Sequence, residues 1–298
     1  MAWYHAKMDI PWDDLQVFLA VAEGRSMSAA ARRLRLGQPT VSRRVAALEH
    51  RLGYALFRRN VEGVLLTAAG DRLLAPARRM AEWAGEVTRA SSSVDHKPEG
   101  LVRITAPPGV AWDFVAPFAA WLHHKHRAIR LEVLSDTRFF DLGRGEADLA
   151  LRTKPANQAD LVTVASFEHA NAIFGAKDYV ARLARRASLS DLDWICWAPP
   201  YEDLAPNPQL ATLVPGFVPA FTSDSFLVQR QAAEAGLGVM ALGDWRHRFA
   251  RPTSLVPLKF DLGPHARSAT HLVCAKSALE IPRVRLVAEA LAAELGAA

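Results

Sequence analysis

The chain has 298 residues, of which 50% are hydrophobic and 22% are charged, with a net charge of +5. This length allows two domains or three small ones, and the composition excludes a disordered, fibrous or disulfide-stapled small protein. The two cysteines form no CxxC motif, the residues from Met1 to Ile10 lack a signal-peptide pattern, and no apolar run reaches the roughly 18 residues of a spanning helix. We therefore expect a globular cytoplasmic protein with no membrane partner.

The excess positive charge lies at the N-terminal end. Residues 1–92 contain 14 basic and 9 acidic residues, whereas residues 93–298 contain 22 of each. Between Arg25 and Arg59 there are nine arginines and a single acid, Glu49. A compact surface with this imbalance attracts a polyanion, because each neutralised phosphate releases condensed counterions. A solvated, charged helix face is the alternative interpretation, and charge alone does not decide between them.

Hydrophobic spacing predicts two short helices at the start of this region. From Asp13 onward, apolar residues recur at i, i+3, i+4 and i+7, which is typical of one helix face packed on a core. Gly24 ends this helix, and Ser26 or Ser28 can cap the N-terminus of the second one. Arginines of the second helix remain at its surface.

A third predicted helix, from Gln38 to about Leu52, has the features of a helix that reads DNA. Gly37 can serve as its N-cap, and Pro39 fits the first turn, where its missing N–H has no helical partner. Short polar and cationic side chains remain near the exposed N-terminal end, namely Gln38, Thr40, Ser42, Arg43 and Arg44. Polar groups for base edges beside cations for phosphates are what a helix-turn-helix recognition helix presents to the major groove.

The segment after this helix predicts a two-stranded wing. Two short apolar-bearing pieces flank a turn at residues 60–63. Arg58 and Arg59 at the base of the wing would reach the phosphates or the minor groove of the same duplex. A surface hairpin with solvated arginines is the alternative.

Many residues between Ser26 and Arg59 share the spacing of one known family. They are Ser26, Ala30, Ala31, Leu34, Gln38, Pro39, Val41, Ser42, Arg43, Leu48, Glu49, Leu52, Gly53, Leu56, Phe57 and Arg59. With this pattern the segment resembles the winged helix-turn-helix of LysR-type transcriptional regulators. The resemblance implies that Gln38, Pro39, Ser42 and Arg43 lie at the DNA, with Thr40 and Arg44 near it.

Two features depart from the family pattern. Gly37 stands where the family most often has a serine cap, which costs only tenths of a kcal/mol. The residues from Met1 to Lys7 precede the position near Met8 at which the family's chains usually begin, so either Met1 or Met8 is the start. The DNA-binding domain is expected at residues 9–66.

Residues 67–92 predict a linker helix that pairs with a second copy. Leu73, Met80 and Val87 recur every seven residues, as in a short coiled-coil seam. The residues expected to contact the second copy are Leu73, Leu74, Met80, Trp83 and Val87. Packing of this helix on its own domain is the alternative. The family resemblance also implies self-association, as a homodimer or homotetramer.

From Leu101 the chain alternates between strands and helices, which predicts a parallel sheet covered by helices. A short helix is expected at residues 139–145. The family resemblance continues here and implies an α/β fold in which the all-α winged helix-turn-helix is followed by a periplasmic-binding-protein-like effector domain at residues 93–298. Its two subdomains are expected at residues 101–168 plus 270–298 and at residues 169–269.

The resemblance also implies a ligand cleft between these subdomains. The residues expected to line it are Thr105, Pro107, Pro108, Gly109, Ser135, Asp136, Thr137, Arg152, Phe221, Thr222 and Ser223. A helix opening at Thr222 would offer free N–H groups to an anion, and Arg152 could add a charge-assisted contact. Alternatively, Asp224 only caps that helix and Arg152 pairs with an acid. Pro107 and Pro108 stiffen a loop that the family builds from smaller or hydroxyl residues.

These observations predict a sequence-specific regulator that binds double-stranded promoter DNA and responds to a small-molecule effector of unknown identity. RNA polymerase is a further candidate partner. No catalytic motif is present, and we expect no cofactor. We also expect no metal, because the histidine cluster at residues 123–126, on a solvated helix end, lacks further ligands at matching spacing. Two alternatives are an effector-independent DNA binder and a ligand-binding or enzymatic α/β domain with a DNA-binding appendage.

Overall fold

The computed structural model describes residues 10–60, 63–92, 97–245, 247–250 and 252–296. The chain forms two compact units that divide between Thr88 and Arg89. None of the helices in these described ranges combines the length and the hydropathy that crossing a membrane requires.

The first unit consists of three short helices, a hairpin and most of a long helix, whose last four residues belong to the second unit. In chain order they are α1 (Trp12–Gly24), α2 (Met27–Leu34), α3 (Gln38–Leu52), β1 (Phe57–Asn60), β2 (Gly63–Leu66) and α4 (Ala68–Ser92). The hairpin pairs Phe57 with Leu66 in an antiparallel register. The predicted helices and wing are therefore present at nearly the predicted bounds.

Local sequence signals explain where these helices begin. The Ser26 hydroxyl accepts a hydrogen bond from the Ala29 N–H at 3.3 Å, so it caps α2 as expected. Gly37 is the N-cap residue of α3, with Pro39 in the first turn. The inner face of α3 is buried at Val41, Val45, Leu48 and Leu52.

The long helix α4 packs on the first unit with one face. Leu73 and Leu74 lie half-buried against the core that Leu48 and Phe18 help to form, and Ala77 is fully enclosed there. These two leucines, expected at a seam with a second copy, thus have an apolar partner within their own domain. Further along the same helix, apolar side chains remain exposed at Met80 (46%), Trp83 (68%) and Val87 (66%).

The second unit is an α/β domain built on a seven-stranded sheet. Its strands are β3 (Gly100–Ala106), β4 (Ile129–Ser135), β5 (Leu149–Arg152), β6 (Leu161–Ala176), β7 (Ile195–Trp197), β8 (Phe221–Ser223), β9 (Val239–Asp244), β10 (Leu255–Leu258) and β11 (Arg267–Ala275). Its α-helices are α5 (Pro108–Val110), α6 (Ala116–Lys125), α7 (Lys177–Arg182), α8 (Asn207–Leu213), α9 (Phe226–Glu234) and α10 (Pro282–Gly296). A π-helical turn, Ala111–Val115, joins α5 to α6.

The large sheet has the strand order β10-β6-β11-β5-β3-β4, and β9 also pairs with β6. Only β3, β4 and β5 run parallel to one another, whereas β6, β9, β10 and β11 pair in antiparallel fashion. The prediction of a parallel sheet is therefore wrong for the part of the sheet formed by β6, β9, β10 and β11. The small β7–β8 pair is parallel.

Two hydrophobic regions divide the second unit into lobes. The first lobe, residues 97–168 and 267–296, packs around Phe118, Leu149 and Val287. The second lobe, residues 169–266, packs around Trp194, Val239 and Phe226. Strand β6 runs without a break from one lobe into the other.

Two predicted helix positions differ from the structure. Residues 139–145 form an irregular segment that ends in a turn at residues 142–145, because the Asp141 carboxylate accepts the Arg144 N–H at 3.1 Å and Gly145 adopts a φ of 72°. The helix expected to open at Thr222 starts instead at Phe226, with Ser225 as N-cap residue. Phe221–Ser223 forms strand β8 because it pairs with β7.

Candidate DNA-binding surface and ligand cleft

The N-terminal end of α3 presents the side chains that the sequence predicted at DNA. Gln38, Pro39 and Arg43 are exposed, while Thr40, Ser42 and Arg44 are half-buried. The Arg44 guanidinium lies 3.4 Å from the Asp13 carboxylate, so this cation is partly neutralised and is oriented by α1. The helix end therefore offers amide, hydroxyl and guanidinium groups together on one accessible turn.

The wing is fixed to α3 by Glu49. One Glu49 carboxylate oxygen accepts hydrogen bonds from the Leu56 N–H at 2.7 Å and from the Phe57 N–H at 3.1 Å. These two donors lie at the start of β1, so the orientation of the strand depends on a side chain of α3. Sequence reasoning did not predict this role, although Glu49 is the single acid among nine arginines.

A second contact fixes the other strand of the wing. The Val64 N–H donates to the Arg25 carbonyl oxygen at 3.0 Å, in the connection between α1 and α2. Gly63 has a φ of 119°, and a Cβ atom there would lie 2.7 Å from the same carbonyl oxygen. Arg58 is exposed on this hairpin. The side chain of Arg59 lies outside the described part of the structure.

A cavity of about 290 Å³ lies between the two lobes of the second unit. The first lobe contributes the carboxyl ends of β3 and β5 and the loops after β3 and β4. The second lobe contributes β7, α9 and β9. The carboxyl ends of parallel strands are where open α/β sheets place their ligands, and the size is at the lower end of small-molecule sites.

Seven of the residues predicted for the cleft line this cavity. They are Thr105, Pro107, Pro108, Gly109, Asp136, Thr137 and Arg152. Four others, Ser135, Phe221, Thr222 and Ser223, are not part of its lining. Phe221, Thr222 and Ser223 form strand β8, which lies outside the lining. After β8, the first residue that lines the cavity is Phe226 in α9.

Much of the apolar wall was not predicted. The additional lining residues are Ala106, Val110, Arg138, Phe139, Leu151, Thr153, Ile195, Trp197, Leu204, Ala205, Pro206, Phe226, Gln229, Met240, Ala241 and Leu242. Most of them come from the second lobe, where short apolar strands carry no motif. Only those at the carboxyl end of a strand, such as Ala106 and Trp197, carry a sequence signal that could have pointed to them.

Arg152 is the most distinctive polar group of this cavity. Its guanidinium donates to the Phe140 carbonyl oxygen, and its Cζ atom lies 5.3 Å from the centre of the Phe139 ring. The Arg152 Nε–H is buried and finds no acceptor among the described residues. Burial lowers the pKa of Arg152, and the charge of Asp141 opposes this effect. An anionic oxygen in the cavity would pair with the charge of this guanidinium.

The Asp136 and Gln229 side chains of the cavity have partners within the protein. The Asp136 carboxylate is 3.2 Å from the Arg138 Nε atom, so its charge is balanced. The Gln229 side chain is 3% exposed and donates to the Ser223 carbonyl oxygen at 2.7 Å. With these groups paired, the rest of the lining is mainly aliphatic and aromatic.

The two cysteines are not part of this chemistry. Cys196 and Cys274 are both fully buried in strands. Burial raises the pKa of Cys196 to about 12 and that of Cys274 to about 11. Both thiols therefore stay protonated and unreactive near neutral pH.

Comparison with known families decides the identity of both units. Residues 12–71 match the bacterial regulatory helix-turn-helix protein model of the lysR family, and residues 95–296 match the LysR substrate binding domain. The chain belongs to the LysR family of transcriptional regulators. The N-terminal unit is thus the DNA-binding domain of a LysR-type regulator, and the cavity lies in its effector-binding domain.

Relatives of the chain are named as transcriptional regulators. An HTH-type transcriptional regulator of Xanthomonas campestris pv. campestris (strain 8004) is 32% identical over 170 residues, which cover 57% of this chain and 49% of that protein. The regulator CrgA of Neisseria meningitidis is 25% identical over 245 residues, which cover 78% of this chain and 79% of CrgA.

Solved structures of LysR-type regulators share the fold. The structure of CrgA from Neisseria meningitidis aligns over 97% of this chain and 100% of that chain, with a TM-score of 0.53 and 22% identity. The full-length Vibrio cholerae virulence activator AphB aligns over 95% and 98%, with a TM-score of 0.55 and 19% identity. These matches cover the winged helix-turn-helix, the linker helix and both lobes together.

Proposed function

We propose that this LysR-type regulator reads promoter DNA with the N-terminal end of α3 and the wing, and changes that binding when an anionic, largely apolar effector fills the cavity. The observation that carries the DNA-binding part is the exposed polar turn of α3, which is held in a fixed relation to the wing by Glu49. In this proposal Gln38, Ser42 and Arg43 face the bases, and Arg58 and Arg59 contact phosphates.

The proposed active form is a homodimer or a homotetramer. The support comes from α4, where Met80, Trp83 and Val87 are exposed at 46%, 68% and 66% although all three are apolar. Such a stripe on one helix is typical of a surface that a second copy covers. Because Leu73 and Leu74 already pack on their own domain, the contact with a second copy would involve mainly the C-terminal half of the helix.

The proposed effector class follows from the lining of the cavity. Arg152 supplies one cationic group, while Trp197, Phe226 and Met240 contribute apolar surface on the opposite wall. A ligand with one carboxylate and a small aromatic or aliphatic body matches both features. A sugar would leave most of its hydroxyl groups against apolar side chains, which is costly.

The test is DNase I footprinting of the full-length protein on the intergenic DNA next to its own gene. Benzoate and phenylacetate serve as effector probes, and benzamide and phenylacetamide are their neutral counterparts. We expect a protected region longer than one helical turn that changes length with a carboxylate and stays unchanged with its amide. Absence of protection at low salt would refute the DNA-binding assignment on this site.

Two variants separate effector binding from folding. Arg152→Gln should retain the footprint and lose the response to carboxylates, whereas the exposed Lys154→Gln, two residues away, should retain both. Equal responses of the wild type to the acids and the amides would contradict the anionic class. A carboxylate that raises the melting temperature of Arg152→Gln as much as that of the wild type would show that Arg152 does not bind it.

A further inference from the structure

The π-helical turn Ala111–Val115 belongs to the first lobe, but its side chains contact residues of the second lobe. It directly follows Pro107–Val110, which form one wall of the cavity. Inserted π-helical turns within α-helices frequently occur at functional sites. Three consecutive residues of this turn, Trp112, Asp113 and Phe114, contact side chains that come from the second lobe.

Trp112 is held from α9. The Arg230 guanidinium carbon lies 4.0 Å from the centre of the Trp112 ring, within the range of a cation–π contact. Arg230 is itself oriented by Glu234 at 3.0 Å and by the Thr253 hydroxyl at 3.0 Å. The guanidinium therefore has a fixed position from which to hold the indole.

Asp113 and Phe114 are held by a short segment that follows β9. This segment, residues 245 and 247–250, is called the strap below. The His247 Nε2–H donates to the Asp113 carboxylate at 2.9 Å, and His247 is only 8% exposed. The fully buried Phe114 ring lies 5.0 Å from Trp245 and 5.9 Å from Phe249, measured between ring centres.

The strap belongs to the second lobe by sequence but packs on the core of the first lobe. Trp245 and Phe249 contact that core, and Arg248 forms an ion pair with Glu294 of α10. Immediately before the strap, residues 240–242 of β9 line the other wall of the cavity. One cavity wall, Pro107–Val110, therefore continues directly into the π-helical turn, and the other wall, in β9, continues into the strap.

We propose that the π-helical turn and the strap form a clasp that fixes the spacing of the two cavity walls. Effector size would then be selected partly by the clasp, through Pro107–Val110 on one side and Met240 on the other. The biological meaning of the clasp rests on the proposed effector role of the cavity. Its mechanical role does not, because the contacts exist in the protein alone.

The experiment is hydrogen–deuterium exchange of the full-length protein, without DNA and without effector. His247→Ala and Asp113→Ala break the same hydrogen bond from opposite sides. Arg103→Gln is the matched control, because it breaks a 2.6 Å ion pair with Glu132 that lies wholly within the first lobe. We expect both clasp variants to exchange about tenfold faster in residues 105–110 and 239–244, as for loss of one buried hydrogen bond.

Three outcomes decide the proposal. Faster exchange in both walls with either variant, with no further increase in the double variant, supports the clasp, because the two residues then act as one unit. Faster exchange confined to residues 111–115 and the strap overturns it. If His247→Ala does not fold, Asp113→Asn replaces it, because this substitution preserves the side-chain volume. Amide exchange in the same two walls should then rise to a smaller extent, and unchanged exchange rates there would again overturn the proposal. A result that overturns the clasp would not affect the proposals for DNA binding and effector binding.

Discussion

Removal of the Glu49 carboxylate should release the wing from α3. In Glu49→Ala, the Leu56 and Phe57 N–H groups lose acceptors at 2.7 and 3.1 Å, and Leu56 is fully buried. A hydrogen bond to a charged group contributes about 1.5–3 kcal/mol, and two bonds to one oxygen add incompletely, so we expect a local cost of roughly 3 kcal/mol. Because tenfold in an equilibrium corresponds to about 1.4 kcal/mol, the amides of Leu56 and Phe57 should exchange about a hundredfold faster.

The assay combines amide exchange of residues 53–60 with DNA affinity. Glu49→Gln should show an intermediate effect, since its amide oxygen still accepts but has no charge, and Glu82→Ala on exposed α4 should behave as the wild type. DNA binding should weaken on specific and random duplexes alike, because the exposed Arg58 is carried by the released strand. Wild-type exchange rates in Glu49→Ala would refute the idea that this side chain holds the wing.

Other substitutions test the surfaces separately. In filter-binding assays, Ser42→Ala should reduce discrimination between operator and random DNA. Arg58→Ala should weaken affinity for both DNAs and reduce the slope of log affinity against log salt by about one for each lost phosphate contact. Equal losses of affinity for the two DNAs in both variants would contradict these roles. Gly63→Ala should destabilise the DNA-binding domain by about 1–3 kcal/mol in thermal unfolding, since its Cβ would lie 2.7 Å from a backbone oxygen at a φ of 119°. An unchanged melting temperature would argue against that close approach. Because burial raises the pKa of Cys196 to about 12 and of Cys274 to about 11, thiolate is scarce at mildly alkaline pH, and neither thiol should react with Ellman's reagent until the protein is denatured; rapid labelling of the native protein would contradict this.

The DNA-binding domain could be predicted almost completely because its signals are local. The cap at Ser26, the apolar spacing of α3 and the turn between β1 and β2 each depend on residues close in sequence. Its long-range contacts could not be predicted in the same way. Glu49 holds residues seven and eight positions away, and Val64 binds the carbonyl oxygen of Arg25 across two helices.

The cleft could be predicted only on the side where strand ends are regular. Thr105, Gly109 and Arg152 follow or end strands of the parallel part of the sheet and do line the cavity. The other wall depends on where α9 begins, and the hydroxyl-rich Phe221–Ser223 has the composition of a helix start. Pairing with β7 makes it a strand, a tertiary effect that no local pattern contains.

The pairing of β6 with β11 places the two chain connections between the lobes side by side. Strand β6 enters the second lobe after Glu168, which pairs with Ala269, and β11 begins beside it at Arg267, which pairs with Ala170. A chimera joined beside these pairs would keep the strand register on both sides and replace one wall of the cavity. It would also replace the strap, so the new strap must match Asp113, Phe114 and Glu294 of the first lobe. One wall of the cavity would thus be exchanged between two regulators while the native DNA-binding domain is retained.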